Sequence, residues 1–153
     1  MKITVAAEPF ESTDARRLIA ALDAHLASRY SADQRFGPNL KPEHLATGLG
    51  TFVVARAGGQ AVGCGALRRL DEATAEVKRM YVEPELRGQG VAKEILDHLE
   101  AAARAMGIHR LVLETGIYQA EAIGLYRRVG FDPVRCWGEY EGVLTSVCFE
   151  KNI

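Results

Sequence analysis

The stretch Met80-Tyr81-Val82-Glu83-Pro84-Glu85-Leu86-Arg87-Gly88-Gln89-Gly90-Val91-Ala92 joins an apolar strand to an amphipathic helix through a glycine-rich turn. Glycine lets the backbone come close to a ligand, because no Cβ stands in the way. The helix that follows has unpaired N–H groups and the positive end of its dipole at this turn. Arg87 adds a forked cationic donor that suits phosphate. The stretch therefore predicts a cradle for a phosphate or pyrophosphate group.

Hydrophobic periodicity on either side of the cradle predicts an α+β domain. Before it, β-branched and apolar runs separated by short turns are typical of an antiparallel meander. After it, apolar residues recur every three or four positions from Val91 to Met106, as in an amphipathic helix. The predicted strands are 3–5, 51–56, 61–70, 73–82, 111–113, 131–134 and 144–150. The predicted helices are 13–30, 42–48, 91–106 and 119–129, and 31–40 is expected to be a loop.

The helix between strands 73–82 and 111–113 makes those two strands parallel, since a right-handed βαβ crossover joins them. The expected architecture is a mixed sheet with helices on both faces. A chain of 153 residues is expected to form one domain over 1–153.

Composition narrows the classes of partner. With 48% hydrophobic and 25% charged residues, the chain is expected to be globular rather than disordered. A net charge of −1 gives no basic footprint, so no nucleic-acid partner is expected. No apolar run approaches the roughly 18 residues of a membrane span, and no signal peptide is recognisable, so no membrane partner and a cytoplasmic location are expected.

The three cysteines, Cys64, Cys136 and Cys148, are odd in number and widely spaced, and none forms a CxxC pair. This pattern predicts reduced cysteines in a cytosolic protein without a structural zinc. The histidines show no metal-ligand spacing, so no metal is expected.

Several interpretations of the glycine-rich turn compete. A P-loop requires GxxxxGK followed by Ser or Thr, which the chain lacks. A dinucleotide fingerprint requires a third glycine where Lys93 stands. A tight turn that opens a helix and binds nothing is the remaining structural interpretation.

Two motifs favour another ligand. Arg87-Gly88-Gln89-Gly90-Val91-Ala92 matches the pattern Q/R-x-x-G-x-G/A, and the segment 122–131 matches A-x-x-L-Y-x-x-x-G-F. In this order, with a helix and a strand between them, they resemble the GNAT superfamily of acetyl-CoA-dependent N-acetyltransferases over roughly residues 50–134. The resemblance implies a mixed, mostly antiparallel sheet of six to seven strands flanked by about four helices, with a central splayed parallel strand pair.

The resemblance also implies acetyl-CoA as co-substrate. Its pyrophosphate would meet the cradle, its pantetheine arm would pair with the backbone near Met80 and Val82, and a backbone N–H there would act as oxyanion donor. Gln119 stands where relatives often carry an asparagine that contacts this arm. The implied cofactor-binding residues are Met80, Tyr81, Val82, Arg87, Gly88, Gln89, Gly90, Val91, Ala92, Gln119 and Tyr126.

Proton transfer needs an acid and a base. The resemblance implies that Tyr126 is the general acid; a tyrosine packed under the sheet is the structural alternative. Glu76 is a candidate base, and period-two alternation predicts that it shares a sheet face with Lys78, Met80 and Val82. A cross-strand partner for Lys78 is the alternative role of Glu76. Glu114 is the second candidate base, and Glu139 and Tyr140 are weaker ones.

The predicted function is N-acetyl transfer from acetyl-CoA to a primary amine of a small molecule, by direct attack in a ternary complex. Two alternatives stay open: acetylation of protein N-termini or lysines, and a non-catalytic acyl-CoA-binding module. A homodimer is possible, because homodimers are common in the superfamily that the chain resembles.

Overall fold

A computed structural model describes residues 2–34 and 40–153. The strands are β1 (Ile3–Ala7), β2 (Gly50–Ala57), β3 (Gln60–Arg69), β4 (Thr74–Val82), β5 (Arg110–Gly116), β6 (Asp132–Val134) and β7 (Ser146–Asn152). The α-helices of the described residues are α1 (Thr13–Arg29), α2 (Val91–Ala105) and α3 (Ala120–Arg128). Short 3₁₀ turns cover Ala32–Gln34, Pro42–Leu45, Pro84–Leu86 and Gly138–Tyr140.

The strands form one seven-stranded sheet in the order β1-β2-β3-β4-β5-β7-β6. All neighbouring pairs are antiparallel except β4 and β5, which are parallel as the sequence predicts. The mixed, mostly antiparallel sheet with its parallel pair confirms the expected fold class. In place of the predicted helix 42–48 the chain forms the 3₁₀ turn Pro42–Leu45. Of the predicted loop 31–40, residues 35–39 lie outside the described part of the chain.

Helices cover both faces of the sheet. On one face, α1 packs Leu18 and Leu22 against a cluster that includes Phe52 and Cys64. α1 starts where the Ser12 side chain accepts a hydrogen bond from the Ala15 N–H at 3.1 Å, which satisfies one of the free donors of the first turn. On the other face, α2 and α3 cover the larger core, whose sequence-distant members include Ile95, Leu99, Leu113, Tyr126 and Phe149.

A β-bulge interrupts β4. Cys64 of β3 pairs with Tyr81, but Ala66 pairs with Lys78, so Arg79 and Met80 together oppose Gly65. Arg79 has a φ of 57°, in the left-handed region, and the Cys64 thiol donates to its carbonyl oxygen at 3.3 Å. A Cβ on Gly65 would lie 2.7 Å from the Met80 sulfur.

The bulge corrects one expectation about the faces of β4. Glu76 and Lys78 do share a face, since their charged groups approach to 3.6 Å. Met80 and Val82 instead pack in the α2 core, on the opposite face. The prediction that Glu76 shares its face with these two residues is wrong, because the extra residue reverses the alternation after Lys78.

The parallel pair opens after a short contact. β4 and β5 pair only from Thr74–Glu76 to Arg110–Val112, while β5 remains paired with β7 as far as Gly116. Beyond Glu76 the two strands therefore leave a gap between them, as expected for a splayed pair.

A disulfide joins Cys136 and Cys148, whose Cα atoms lie 5.2 Å apart. The expectation of reduced cysteines is wrong for this pair. Val134 pairs with Cys148 in the sheet, so the chain leaving β6 passes β7 two residues later and brings Cys136 beside it. Cys64 is a free, buried thiol. Among the described helices, none is long and apolar enough to cross a membrane.

The left-handed backbone at Arg79 gives a stability prediction. Arg79→Val places a β-branched side chain at positive φ, which is strongly disfavoured, whereas Arg79→Gly accepts this conformation. Both variants lose the ion pair with Asp23, so that loss cancels in the comparison. We expect the valine variant to have a lower free energy of unfolding than the glycine variant by about 1 kcal/mol in urea titrations. Equal stabilities would contradict a fixed left-handed residue.

Candidate active site

A cleft of about 750 Å³ opens where β4 ends, between α1, α2 and α3. Every predicted cofactor-binding residue except Gln89 lines it. The Gln89 side chain instead donates to the Glu85 carbonyl oxygen at 3.2 Å. The two sequence motifs, which are separated by residues 93–121 in the chain, therefore meet at one cavity.

The predicted cradle, residues 87–92, has the geometry of an anion site. Gly88 and Gly90 have φ values of 79° and 87°, and a Cβ on either would meet no atom within 4 Å. Gly90 is the N-cap of α2, and no side chain caps this helix end. The first N–H groups of α2 are thus free for an anionic ligand.

The Arg87 side chain is held against the end of β4 by two contacts. Its Nε donates to the Val82 carbonyl oxygen at 2.9 Å, and its guanidinium lies 5.6 Å from the centre of the Tyr81 ring. The terminal nitrogens keep their donors for a ligand. Arg87 therefore both fixes the path from β4 into the cradle and adds positive charge to the cleft.

Among the charged side chains of the cleft lining, basic ones outnumber acidic ones. Arg29, Lys93 and Arg128 line it together with one carboxylate, that of Glu121. Lys93 is paired with Asp97 at 2.8 Å, on the exposed side of α2. An excess of cations suits an anionic ligand such as a coenzyme carrying several phosphates.

The C-terminal end of α1 contributes residues that the sequence analysis did not assign to the cofactor. Arg29 donates to the Tyr118 carbonyl oxygen at 2.9 Å and lies 3.4 Å from the Gln119 amide oxygen. His25 also lines the cleft. Burial and the charges of Arg29 and Arg87 lower its pKa, so the imidazole is neutral at pH 7. No motif in α1 signals this proximity, because it depends on how α1 packs beside the turn before α3.

Tyr126 combines burial with access to the cleft. Its ring packs against Phe131 and Phe149, with centroid distances of 5.7 and 6.3 Å. Burial, and secondarily the charge of Glu114, raise the pKa of the phenol. The hydroxyl is therefore a proton donor at neutral pH and not an acceptor of protons from an amine. It makes no hydrogen bond with the residues that the structure describes.

Glu76 and Glu114 do not line the cleft but lie at the strand gap. Glu76 is only 2% exposed, and its Oε2 accepts a hydrogen bond from the Tyr140 hydroxyl at 2.7 Å. Lys78 lies 3.6 Å from the same carboxylate. Glu114 accepts a hydrogen bond from Ser146 at 2.7 Å, and burial raises the pKa of its carboxyl group.

The structure makes Tyr140 a stronger candidate for a role in the site than the sequence does. In the sequence it is a weak candidate, because it lies in a loop far from both motifs. In the structure it is 2% exposed and contacts both Glu76 and Lys78. No group of acidic, cysteine or histidine side chains arranged to hold a metal ion occurs among the described residues.

Together, an anion cradle at a helix start, a splayed parallel pair and a buried tyrosine beside it define the GNAT class of acyltransferases. The family model described as "Acetyltransferase (GNAT) family" matches residues 15–131, and the chain belongs to this family. Its relatives are N-acetyltransferases, which makes the chain an acyltransferase.

Similarity to individual proteins extends over the whole chain. A protein of Azospirillum brasilense named IAA acetyltransferase is 39% identical over 152 residues, which cover 99% of this chain and 98% of that protein. A Klebsiella pneumoniae structure assigned as an acyl-CoA N-acyltransferase is 34% identical, with a TM-score of 0.83 over 98% of this chain and 97% of that one. The PaiA N-acetyltransferase of Thermoplasma acidophilum, solved with coenzyme A, shares the fold, with a TM-score of 0.74 at 20% identity over 100% of both chains.

The cradle gives a binding prediction. Gly90→Glu introduces a carboxylate, and a strained backbone, at the start of α2. We expect it to weaken acetyl-CoA binding at least about tenfold in titration calorimetry, because the new charge opposes the phosphates. Gly59→Glu is the matched control, since Gly59 has a φ of 83°, similar open space and a position in the β2–β3 turn. Equal weakening by both substitutions would contradict the cradle assignment.

Glu114 gives a pH prediction. Because burial raises the pKa of the folded carboxyl group above its usual 4.5, its stabilising contribution is present below that pH. The contribution is lost as the pH rises through the folded pKa. Glu114→Gln does not titrate and can still accept from Ser146. We expect the variant to gain stability relative to the parent between pH 4 and pH 8 in urea titrations; a constant difference would contradict the raised pKa.

Proposed function

We propose that the protein transfers the acetyl group of acetyl-CoA to a primary amine of a small molecule, by direct attack in a ternary complex. One observation carries the proposal: the cofactor-type cleft and the buried carboxylates lie at the same gap, on either side of β4. A cofactor and an acceptor could therefore approach each other from opposite faces of the sheet.

The cradle would hold the pyrophosphate of the coenzyme. The free N–H groups from Gly88 to Ala92 and the Arg87 guanidinium supply directional donors and positive charge. Arg29 and Arg128 add charge along the cleft. Their excess over the single carboxylate of Glu121 favours a polyanion at this site.

The open edge of β4 would orient the thioester. β4 makes no ladder contact with β5 beyond Glu76, so the backbone polar groups on that side need other partners. An extended amide-bearing chain can supply them in the manner of an added strand. A β4 N–H between Met80 and Val82 would then stabilise the developing oxyanion.

Two protons must move. When acetyl-CoA is bound, it supplies the thioester that the amine attacks. Glu76 would take the proton of the acceptor amine, and Glu114 is the second candidate for that step. Tyr126 would donate a proton to the leaving sulfur; its raised pKa keeps the hydroxyl protonated until that moment.

The relatives support the class of acceptor only indirectly. The proteins named above are N-acetyltransferases or acyltransferases by name, and 39% identity over nearly the whole chain supports a shared chemistry. The identity of the acceptor amine is therefore what the experiment has to establish.

The test is a panel assay with mass spectrometry of the products. Acetyl-CoA is incubated with the protein and, in separate arms, with aliphatic amines, aromatic amines, amino acids, IAA, and peptides with free N-termini or lysines. We expect N-acetylated product in a small-amine arm. Product in the peptide arms alone would overturn the small-molecule assignment, and acetyl-CoA binding without product in any arm would overturn the enzymatic one.

Tyr126 gives a kinetic prediction. Tyr126→Phe removes the hydroxyl and keeps the packing against Phe131 and Phe149. We expect kcat to fall about 10- to 100-fold, as for loss of a general acid, while the Kd of acetyl-CoA changes by less than about threefold. An unchanged kcat would remove Tyr126 from the chemistry. A parallel loss of affinity would show a binding role instead.

A further inference from the structure

Three polar side chains on the face of β4 away from the cofactor cleft form a hydrogen-bonded chain. The Lys78 ammonium donates to the Tyr140 hydroxyl oxygen at 3.2 Å, and the Tyr140 hydroxyl donates to Glu76 Oε2 at 2.7 Å. Both Glu76 and Tyr140 are 2% exposed. A buried chain of this kind is polarised along its length, because each donor is strengthened by the one before it.

The loop that carries Tyr140 is held on several sides. The Trp137 ring packs edge-on against the Tyr140 ring, with a centroid distance of 5.3 Å. The Cys136–Cys148 disulfide closes this loop against β7. Cys148 in turn pairs with Glu114 of β5, next to the strand gap. Tyr140 is therefore delivered to Glu76 by a tethered loop and not by a freely moving one.

We propose that Tyr140 is a positioning residue for Glu76: its hydroxyl holds Oε2, which leaves Oε1 to take the proton of the acceptor amine. Oε1 makes no hydrogen bond with the described residues. This inference rests on the proposed function, because it assigns the base within that reaction. Tyr140 contacts the base and not the reacting atoms.

Charged and titratable groups surround the Glu76 carboxyl group on several elements. Burial and the neighbouring Glu76 raise the pKa of Tyr140, so its hydroxyl stays a donor throughout the working range. Each element packed around Glu76 contributes a titratable or charged group: Arg68 opposite it on β3, Lys78 on β4, Glu114 on β5, Glu139 and Tyr140 in the loop, and His44 near Arg68 and Lys78. Lys78, whose Nζ lies 3.6 Å from Oε2, places a positive charge beside this carboxyl group.

The step that Tyr140 supports is balanced within the reaction. The acceptor ammonium first releases one proton to solvent. The neutral nitrogen then forms a bond to the acetyl carbon and loses a second proton to Glu76 Oε1. The carbon–sulfur bond breaks, and the sulfur receives one proton from Tyr126. Solvent exchange restores both residues, so no further reactant is needed.

The test is Tyr140→Phe, assayed with the acceptor that the panel identifies. Removing one charge-assisted hydrogen bond should lower kcat about tenfold and leave the KM of the acceptor within about threefold. The acidic limb of the kcat–pH profile should move up by about one pH unit, because the ionised carboxylate loses a donor. A purely structural role would lower the amount of folded enzyme without moving this limb.

A double-mutant cycle separates positioning from packing. In a Glu76→Gln background, Tyr140→Phe should have no further effect on kcat, since the group that it positions is gone. The same loss in both backgrounds would overturn the inference. Leu144→Ala is the matched loop control, because Leu144 is 93% exposed in the same disulfide-closed loop, and it should behave as the parent.

If Tyr140→Phe does not fold, Lys78→Met tests the other end of the hydrogen-bonded chain Lys78–Tyr140–Glu76. It should shift the acidic limb in the same direction, and an unmoved limb would overturn the inference. The activity of the parent enzyme distinguishes a failure of the proposed function from a failure of the role assigned to Tyr140. No acetylated amine with the parent contradicts the proposed function, whereas a productive parent and an unmoved pH limb in the variants contradict only the role of Tyr140.

Discussion

The structure depends on one backbone constraint: β4 and β5 pair over three residues and then separate. Buried or half-buried N–H and C=O groups need partners, so two strands that part inside a sheet must be kept apart by other contacts. Here β5 stays fully paired with β7, and β4 stays paired with β3. Each strand is thus held by its outer neighbour, and the gap is a stable part of the fold.

The strand gap lies between two sites of opposite charge. In the cleft between α1, α2 and α3 the charged side chains are mostly basic, and the free N–H groups at the start of α2 suit an anion. On the other face of the sheet, the buried Glu76 carboxylate lies beside Lys78, and the partly buried Glu114 carboxylate lies on the neighbouring strand β5. A phosphate-bearing coenzyme and a cationic amine would each find a complementary potential, and the sheet separates the two potentials.

The sequence predicts much of the fold, because most of its signals are local. Helix caps, hydrophobic periods and glycine turns locate α1, α2 and the meander within a few residues. The cradle and Tyr126 come from motifs whose spacing reflects a contiguous βα unit. Their roles in the reaction stay predictions.

The features that the sequence missed arise from contacts between distant segments. The disulfide depends on Cys136 passing beside β7, and the place of Arg29 depends on how α1 packs near Tyr118. The hydrogen bond from Tyr140 to Glu76 spans 64 residues. None of these proximities has a short-range pattern, because each depends on the packing of whole elements.

The bulge at Arg79 makes β4 behave as two strands in series that share one backbone. Upstream of it, the even-numbered side chains Glu76 and Lys78 lie on the face opposite the α2 core; downstream, the even-numbered side chains Met80 and Val82 lie in that core. Deleting one residue there would remove the bulge, and the alternation of side chains along β4 would become continuous. Every β4 side chain after the deletion would then lie on the opposite face of the sheet. The length of this segment is thus under a strict constraint: the insertion or deletion of one residue would separate the proposed coenzyme and acceptor sites.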